Sequence, residues 1–452
     1  MSQHPEFAKY FTPTFFHRLE SNRVFSTFAY PNIYAGFLIT ILPFLYFIFL
    51  DNIDFKNLRL IRFFSLFLIF LCIINLYFTE SVGGFFVLLF VFHIIFLNFL
   101  FGPKKFKKIL PLLIFFEILF FYLGYKFGKL PHIHSFVDRV YYWKATWKMI
   151  LYKPILGIGA ENFQYYFPKY KLPEGLEVKH AHNLFFETAA ETGFLGISLL
   201  FIFLVMVILK GFKNEKFRNF NFGISYSLIS FLLHNFVDFD FSDPSLAIIF
   251  FILGAIIYSK EKEIKQRLTK MVLCFIIILN ILCFVTLLRY EISEEICRKR
   301  YAVKEKSLEA KIYYLNLAES WYNKNFEIYI DRSDVYINIW RVKENTEYLE
   351  KGISDLLKAV YLNPYLIKGF KRLASIYENL GNFEKAEKFY LKLIEIYPNK
   401  KLYNLEVARF YKKYGKEKEF KYFYEKSKNL KGVNIEEGIL IDEIEKWIES
   451  QK

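Results

Sequence analysis

The chain has 452 residues, of which 54% are hydrophobic and 21% aromatic, too apolar for an ordinary soluble protein, yet 23% are charged, too many for one that lies in a membrane throughout. The formal charge of +15 does not indicate a nucleic-acid binder, because much of it falls in short segments between apolar runs, where membrane topology accounts for it. Cys72, Cys274 and Cys283 lie inside apolar runs and Cys297 outside them, so the sequence holds neither a disulfide framework nor metal-ligand spacing.

Taken in chain order, residues 1–32 read as an N-terminal extracytoplasmic segment without the unbroken apolar core of a cleavable signal peptide. Eight spans are predicted after it, at about 33–50, 62–79, 84–101, 109–125, 193–209, 219–236, 245–258 and 271–289. The connections KNLRLIR, GPKKFKK, KGFKNEKFR and SKEKEIKQRLTK are basic, whereas TESVGG and DFDFSDP contain no Lys or Arg. Positive charge marks the cytoplasmic side, so this alternation puts residues 126–192 and the tail after 290 outside the cytoplasm. The predicted fold is all-α: a polytopic membrane domain over 33–289, with a large outer loop at 126–192, followed by an extracytoplasmic helical domain over 290–452. His93 and His234 fall inside predicted spans, where a histidine either packs or lines a path, as in a transporter.

The outer loop is the longest connection of the first half, and long ordered loops carry function. It opens with HIHSFVDRVYYWKATWKMI, in which Arg139, Trp143 and Trp147 recur every four residues and share a helical face. Such a face suits a lipid phosphate or the anchoring of a helix at the membrane surface. In YKPILGIGAENF, Pro154 ends that helix, and Gly157 and Gly159 permit either a turn or an exposed-amide phosphate site. The loop closes with VKHAHNLFFETAAETGFLG. There Asn183, Glu187 and Glu191 make one stripe of a helix, with His180 and His182 at its start. A histidine can take a proton from a hydroxyl while nearby carboxylates orient it; two histidines also suit a metal, but no third ligand accompanies them at familiar spacing.

The tail repeats itself at a separation of about 34 residues, the period of a helix-turn-helix solenoid: Ala374 matches Ala408, Tyr377 Tyr411, Gly381 Gly415 and Phe389 Phe423. The segment LASIYENLGNFEKAEKFYLKLIEIYP resembles the tetratricopeptide pattern, with more irregular helical units expected from about 292 to 350. Such a module is either a docking surface for a protein or glycan partner, or a spacer.

RVYYWKATWKMILYKPILGIGAENFQYY followed by AHNLFFETAAETGFLG resembles the signature region of the O-antigen ligase and polymerase family, which includes protein O-oligosaccharyltransferases. RVFSTFAYPNIYAGFL and HNFVDFDFSDPSLAIIFFILGA are similar to two further segments of that family, so the resemblance covers about residues 20–258. It implies an enzyme at the outer face of the cytoplasmic (inner) membrane. Such an enzyme moves a glycan from a polyprenyl pyrophosphate carrier to an acceptor hydroxyl on lipid, glycan or protein, without a metal or other cofactor. By the same resemblance Arg139 holds the donor pyrophosphate and His182 acts in catalysis. Arg23, Lys179 and His180 are further phosphate contacts, and Asn183, Glu187, Glu191 and His234 support them. Val82 stands where the family often has a second arginine, Tyr30 replaces an asparagine, and only about thirty residues precede the first matching segment. A late start, helices supplied by a partner, or a reduced fold serving as a scaffold are the readings of that shortness.

Overall fold

The computed structural model describes residues 23–28, 30–50, 58–128, 133–212, 220–258, 266–302, 308–430 and 435–451. Most of the segment 1–32, and much of the basic connections on which the charge argument rests, lie outside them. Among the described residues every regular element is helical. The chain divides into two compact units, Met1–Gln164 with Val178–Glu261, and Tyr165–Glu177 with Lys262–Lys452.

In the first unit the helices are α1 (Pro31–Leu50), α2 (Leu58–Thr79), α3 (Val82–Lys126), α4 (Ile133–Tyr152), α5 (Phe163–Tyr170, shared with the second unit), α6 (Leu184–Phe212), α7 (Phe220–His234) and α8 (Pro244–Tyr258). Pro31 opens α1, the position where its missing N–H costs no helical bond. Among the described residues four stretches are long and apolar enough to cross a membrane: Pro31–Leu50, Arg59–Thr79, Val82–Gly102 and Leu184–Phe212. The other expected spans also fall on helices, namely the second arm of α3, α7, α8 and a later helix over Gln266–Ala302.

Burial sorts these helices. Leu38, Ile39 and Leu42 of α1 are buried against α2 and α7, which makes α1 central. By contrast α2 turns Phe63, Phe67 and Phe70 outward, a surface that water would not tolerate and lipid would. The first unit is thus that of a membrane protein. Gly102, at φ 66° and ψ 167°, breaks α3 into two arms, and the His93 Nδ1 on one meets the Glu117 Oε1 on the other at 2.6 Å. His93 is therefore paired rather than solitary.

The second unit contains α9 (Gln266–Ala302), α10 (Leu308–Trp321), α11 (Phe326–Lys343), α12 (Thr346–Leu362), α13 (Ile367–Asn379), α14 (Phe383–Ile396), α15 (Lys401–Lys413), α16 (Glu417–Lys428) and α17 (Ile435–Ser450). The repeat read from the sequence is physical. Tyr377 stacks on Phe389 with ring centroids 5.7 Å apart, and Tyr411 stacks on Phe423 at the same 5.7 Å. Gly381 at φ 70° and Gly415 at φ 68° end α13 and α15 in the left-handed conformation that glycine adopts without penalty. The end of α9 pairs with α10 through Cys297, Leu315 and Ala318, and α11 pairs with α12, so two further helix pairs precede the regular repeats.

Candidate active site

The loop 154–159 and the helix α6 shape each other. At φ 66° Gly193 breaks α6, and a Cβ there would collide with the Ile155 carbonyl; Gly157, at φ 68°, would collide with the Glu191 carbonyl. Only two glycines let these backbones meet. The Ile158 and Gly159 amides then donate to the carbonyls of Ala190 and Glu191 at 3.0 and 2.8 Å. Those amides are spent, so the glycine segment is a turn that buttresses α6 and not a phosphate loop.

The expected polar stripe is used inward. Asn183 is the cap of α6 rather than part of it: its Oδ1 accepts from the Phe186 amide at 2.9 Å, while its Nδ2 donates to the Phe236 carbonyl at 2.7 Å. Glu187 accepts from the Ala181 amide at 2.7 Å and bonds the His180 Nδ1 at 2.8 Å. That bond raises the His180 pKa above its ordinary value, against the opposing effect of burial. Glu191 accepts from the Phe163 amide at 3.0 Å. Two carboxylates one helical turn apart thus pin both ends of the loop.

His182 stands in the left-handed region at φ 51°, an uncommon backbone for a residue with a Cβ and one that persists where its surroundings impose it. Its ring packs edge-on against Phe239 at 4.6 Å, and the His180 ring stacks on the same Phe239 at 4.9 Å. The His182 Nδ1 faces the Asp238 Oδ1 at 3.3 Å, and Arg139 Nη2 donates to the Asp238 Oδ2 at 3.1 Å. One carboxylate, 1% exposed, therefore joins the two residues singled out in the sequence. Burial alone would raise the Asp238 pKa, but the Arg139 guanidinium and the His182 bond override it and hold the carboxyl well below the usual carboxylate range. With Nδ1 committed to an ionised carboxylate, Nε2 is the nitrogen of His182 left to accept a proton.

Sequence reasoning missed Asp238, which lay unsingled within HNFVDFDFSDP. The other acids of that segment have other partners. Asp240 Oδ2 bonds the buried His234 Nδ1 at 2.6 Å, and Asp243 Oδ1 accepts from the Ser245 amide at 3.0 Å, at the start of α8. A Cβ on Gly36 of α1 would overlap the Asp240 carboxylate, so glycine is required for this close approach. His234 thus belongs to a neighbouring buried pair.

On α4, Arg139 is 8% exposed and Trp143 donates its indole N–H to the Ala181 carbonyl at 3.1 Å, whereas Trp147 is 54% exposed. The helical face expected to act as one divides: Arg139 and Trp143 serve the site, and Trp147 does not. Arg139 and Arg23 both line a cavity of about 430 Å³. Arg23 is held by the Thr79 carbonyl at 2.7 Å and by the Asn32 Oδ1 at 2.8 Å, and burial lowers its pKa. Ser81, Val82 and Gly83 bring the N-terminus of α3 to the same cavity, a place where a helix dipole favours anions. Glu80 and Glu117, the latter paired with His93, also line it, and the remaining walls are largely apolar: Phe86 and Phe90 recur at one-turn spacing on α3, as do Ile114 and Ile118 on its other arm. Lys179 is exposed and stands outside the network. Among the described residues no group of three metal-ligating side chains is placed around a common point.

The first unit thus joins an arginine, a carboxylate and a histidine beside a largely apolar cavity, and the second is built of helical repeats. Residues 67–201 match the O-antigen ligase family model and residues 372–400 match a tetratricopeptide repeat model, the two families that the sequence motifs resemble. Over residues 67–201 the chain is thus similar to the O-antigen ligase family. No curated protein matches the chain.

Proposed function

We propose that the protein transfers a glycan from a polyprenyl pyrophosphate carrier to an acceptor hydroxyl at the outer face of the inner membrane, as a ligase or polymerase. The observation that carries this reading is the bridging of Arg139 and His182 by Asp238 beside a largely apolar cavity that Arg23 and Arg139 also line, together with Glu80 and Glu117. The arginines and the apolar walls suit the two parts of a lipid-linked pyrophosphate. The pyrophosphate takes charge-assisted bonds from Arg139 and Arg23, with the α3 N-terminus contributing where Val82 replaces an arginine, and the polyprenyl chain takes the apolar walls.

In the reaction the acceptor oxygen attacks the anomeric carbon while its proton passes to the His182 Nε2. The bond from that carbon to phosphate oxygen breaks, and its electron pair leaves on the pyrophosphate, where the guanidinium charge stabilises it. Asp238 holds the His182 tautomer and balances the imidazolium that forms. The outer loop and the repeat unit lie on the extracytoplasmic side in this reading, where the acceptor is.

The test is release of polyprenyl pyrophosphate from a lipid-linked oligosaccharide in membranes containing the protein, with a chelator in a parallel arm. Release by the wild type that falls by about 10²-fold or more in Arg139→Ala is the expected result. Equal release by both proteins would remove the basis of the assignment.

A further inference from the structure

The segment Tyr165–Glu177 interrupts the membrane unit in sequence yet belongs to the repeat unit in space. Its contacts there follow the order of the repeats. The Tyr165 ring meets Phe326, the first residue of α11, edge-on at 6.4 Å. The Tyr166 ring packs on Tyr365, just ahead of α13, at 3.9 Å. Asn399 Nδ2, just ahead of α15, donates to the Lys171 carbonyl at 2.7 Å, and the neighbouring Lys400 pairs with Glu177. Tyr365 and Asn399 stand one repeat period apart, so the segment crosses equivalent points of successive repeats.

This strap is built, not merely laid down. Lys400 is 3% exposed and sits between Glu177 and the Glu437 of α17, with its charge compensated from both sides. Within the strap Lys171, itself buried, donates to the Gly175 carbonyl at 2.7 Å, and its burial lowers its pKa. Glu177, Glu174 and the Glu437 of α17 offset part of the cost of that buried charge, so the repeat unit contributes to holding the strap in this shape. At its ends the chain runs directly into Phe163, bonded to Glu191, and into His180 and Ala181, bonded to Glu187. The next residue is His182, with its left-handed backbone.

We infer that the repeat unit is the positioning element of the site. It takes Tyr165–Glu177 of its own chain as a fixed ligand, Lys400 holds Glu177, and the strain of the His182 backbone is sustained by a loop that cannot slacken. This rests on the transfer reaction above. It also gives the repeat module a role that needs no partner protein on this edge of the solenoid.

The experiment uses the full chain in membranes. One variant, Tyr165→Ser with Tyr166→Ser and Glu177→Gln, alters only the strap; Lys400→Met and its conservative control Lys400→Arg alter the holder. Amide exchange over 165–182 and the kcat and donor KM of transfer are read together. Release of the strap is expected to raise exchange over 165–182 while leaving α11 to α16 protected. It is also expected to lower kcat about ten-fold or more with donor KM within about two-fold, because misplacing a catalytic group slows chemistry more than binding. Lys400→Arg is expected to keep wild-type exchange and rate. Raised exchange with an unchanged kcat overturns the positioning role, and unchanged exchange in the strap variant overturns the holding itself. If the wild type transfers nothing, the reaction assignment fails, and exchange alone decides whether the repeats hold the strap.

Discussion

Asp238 is the residue on which the site turns. Its two oxygens face different partners, so replacing one of them by an amide separates charge from shape. In Asp238→Asn the amide leaves Arg139 without its counter-charge and no longer enforces one tautomer of His182. A fall in transfer rate of about 10²- to 10⁴-fold is expected, measured in membranes at equal level of folded protein, with a lowered melting temperature from the uncompensated Arg139 charge. A rate within about three-fold of wild type would show that the bridge is not used. Arg139 and His182 were legible in the sequence because each sits in a recognisable segment. Asp238 was not, because HNFVDFDFSDP offers three acids at close spacing, and only the turn after α7 decides their fates. One reaches the site, one is buried with His234, and one starts α8.

At the scale of elements, the break in α6 sets the site's foundation. Gly193→Ala forces a side chain into the left-handed region and into the Ile155 carbonyl. A loss of about 1–3 kcal/mol is expected, read as a lowered melting temperature in detergent, with Gly381→Ala as a control that shares the positive φ but has open space around it. If Gly193→Ala loses no more than Gly381→Ala, the collision with Ile155 adds nothing to the cost of the positive φ. The glycines here looked like a phosphate loop or a turn from sequence; the choice depended on whether their amides were free, which is a tertiary fact. The polar stripe from Asn183 to Glu191 was visible as a pattern, but its direction was not. Helical spacing says which residues share a face and is silent on what that face meets.

At the scale of the molecule, the all-helical class and the repeat period were legible because both are periodic, and apolar runs and 34-residue matches survive without knowledge of contacts. What periodicity could not carry is the exchange of Tyr165–Glu177 from one unit to the other, an aperiodic stretch whose partners lie over a hundred residues away. The proposed sidedness is open to a direct check. Tyr361 is 82% exposed, so Tyr361→Cys in a cysteine-free background is expected to react with a membrane-impermeant maleimide applied from outside the inner membrane. Reaction only after the membrane is breached would place the repeats in the cytoplasm and remove the acceptor from their side.

The pairing of His93 with Glu117 across the break at Gly102 bears on how the chain is made. A lone carboxylate near the middle of an apolar span resists partitioning into lipid by about 2.5–3.5 kcal/mol on the scale measured for acidic residues. Here its partner is on the preceding arm of the same hairpin, already delivered when Glu117 leaves the ribosome. The two arms of α3 therefore favour insertion together, and a delay between them would leave the second arm stranded at the membrane surface.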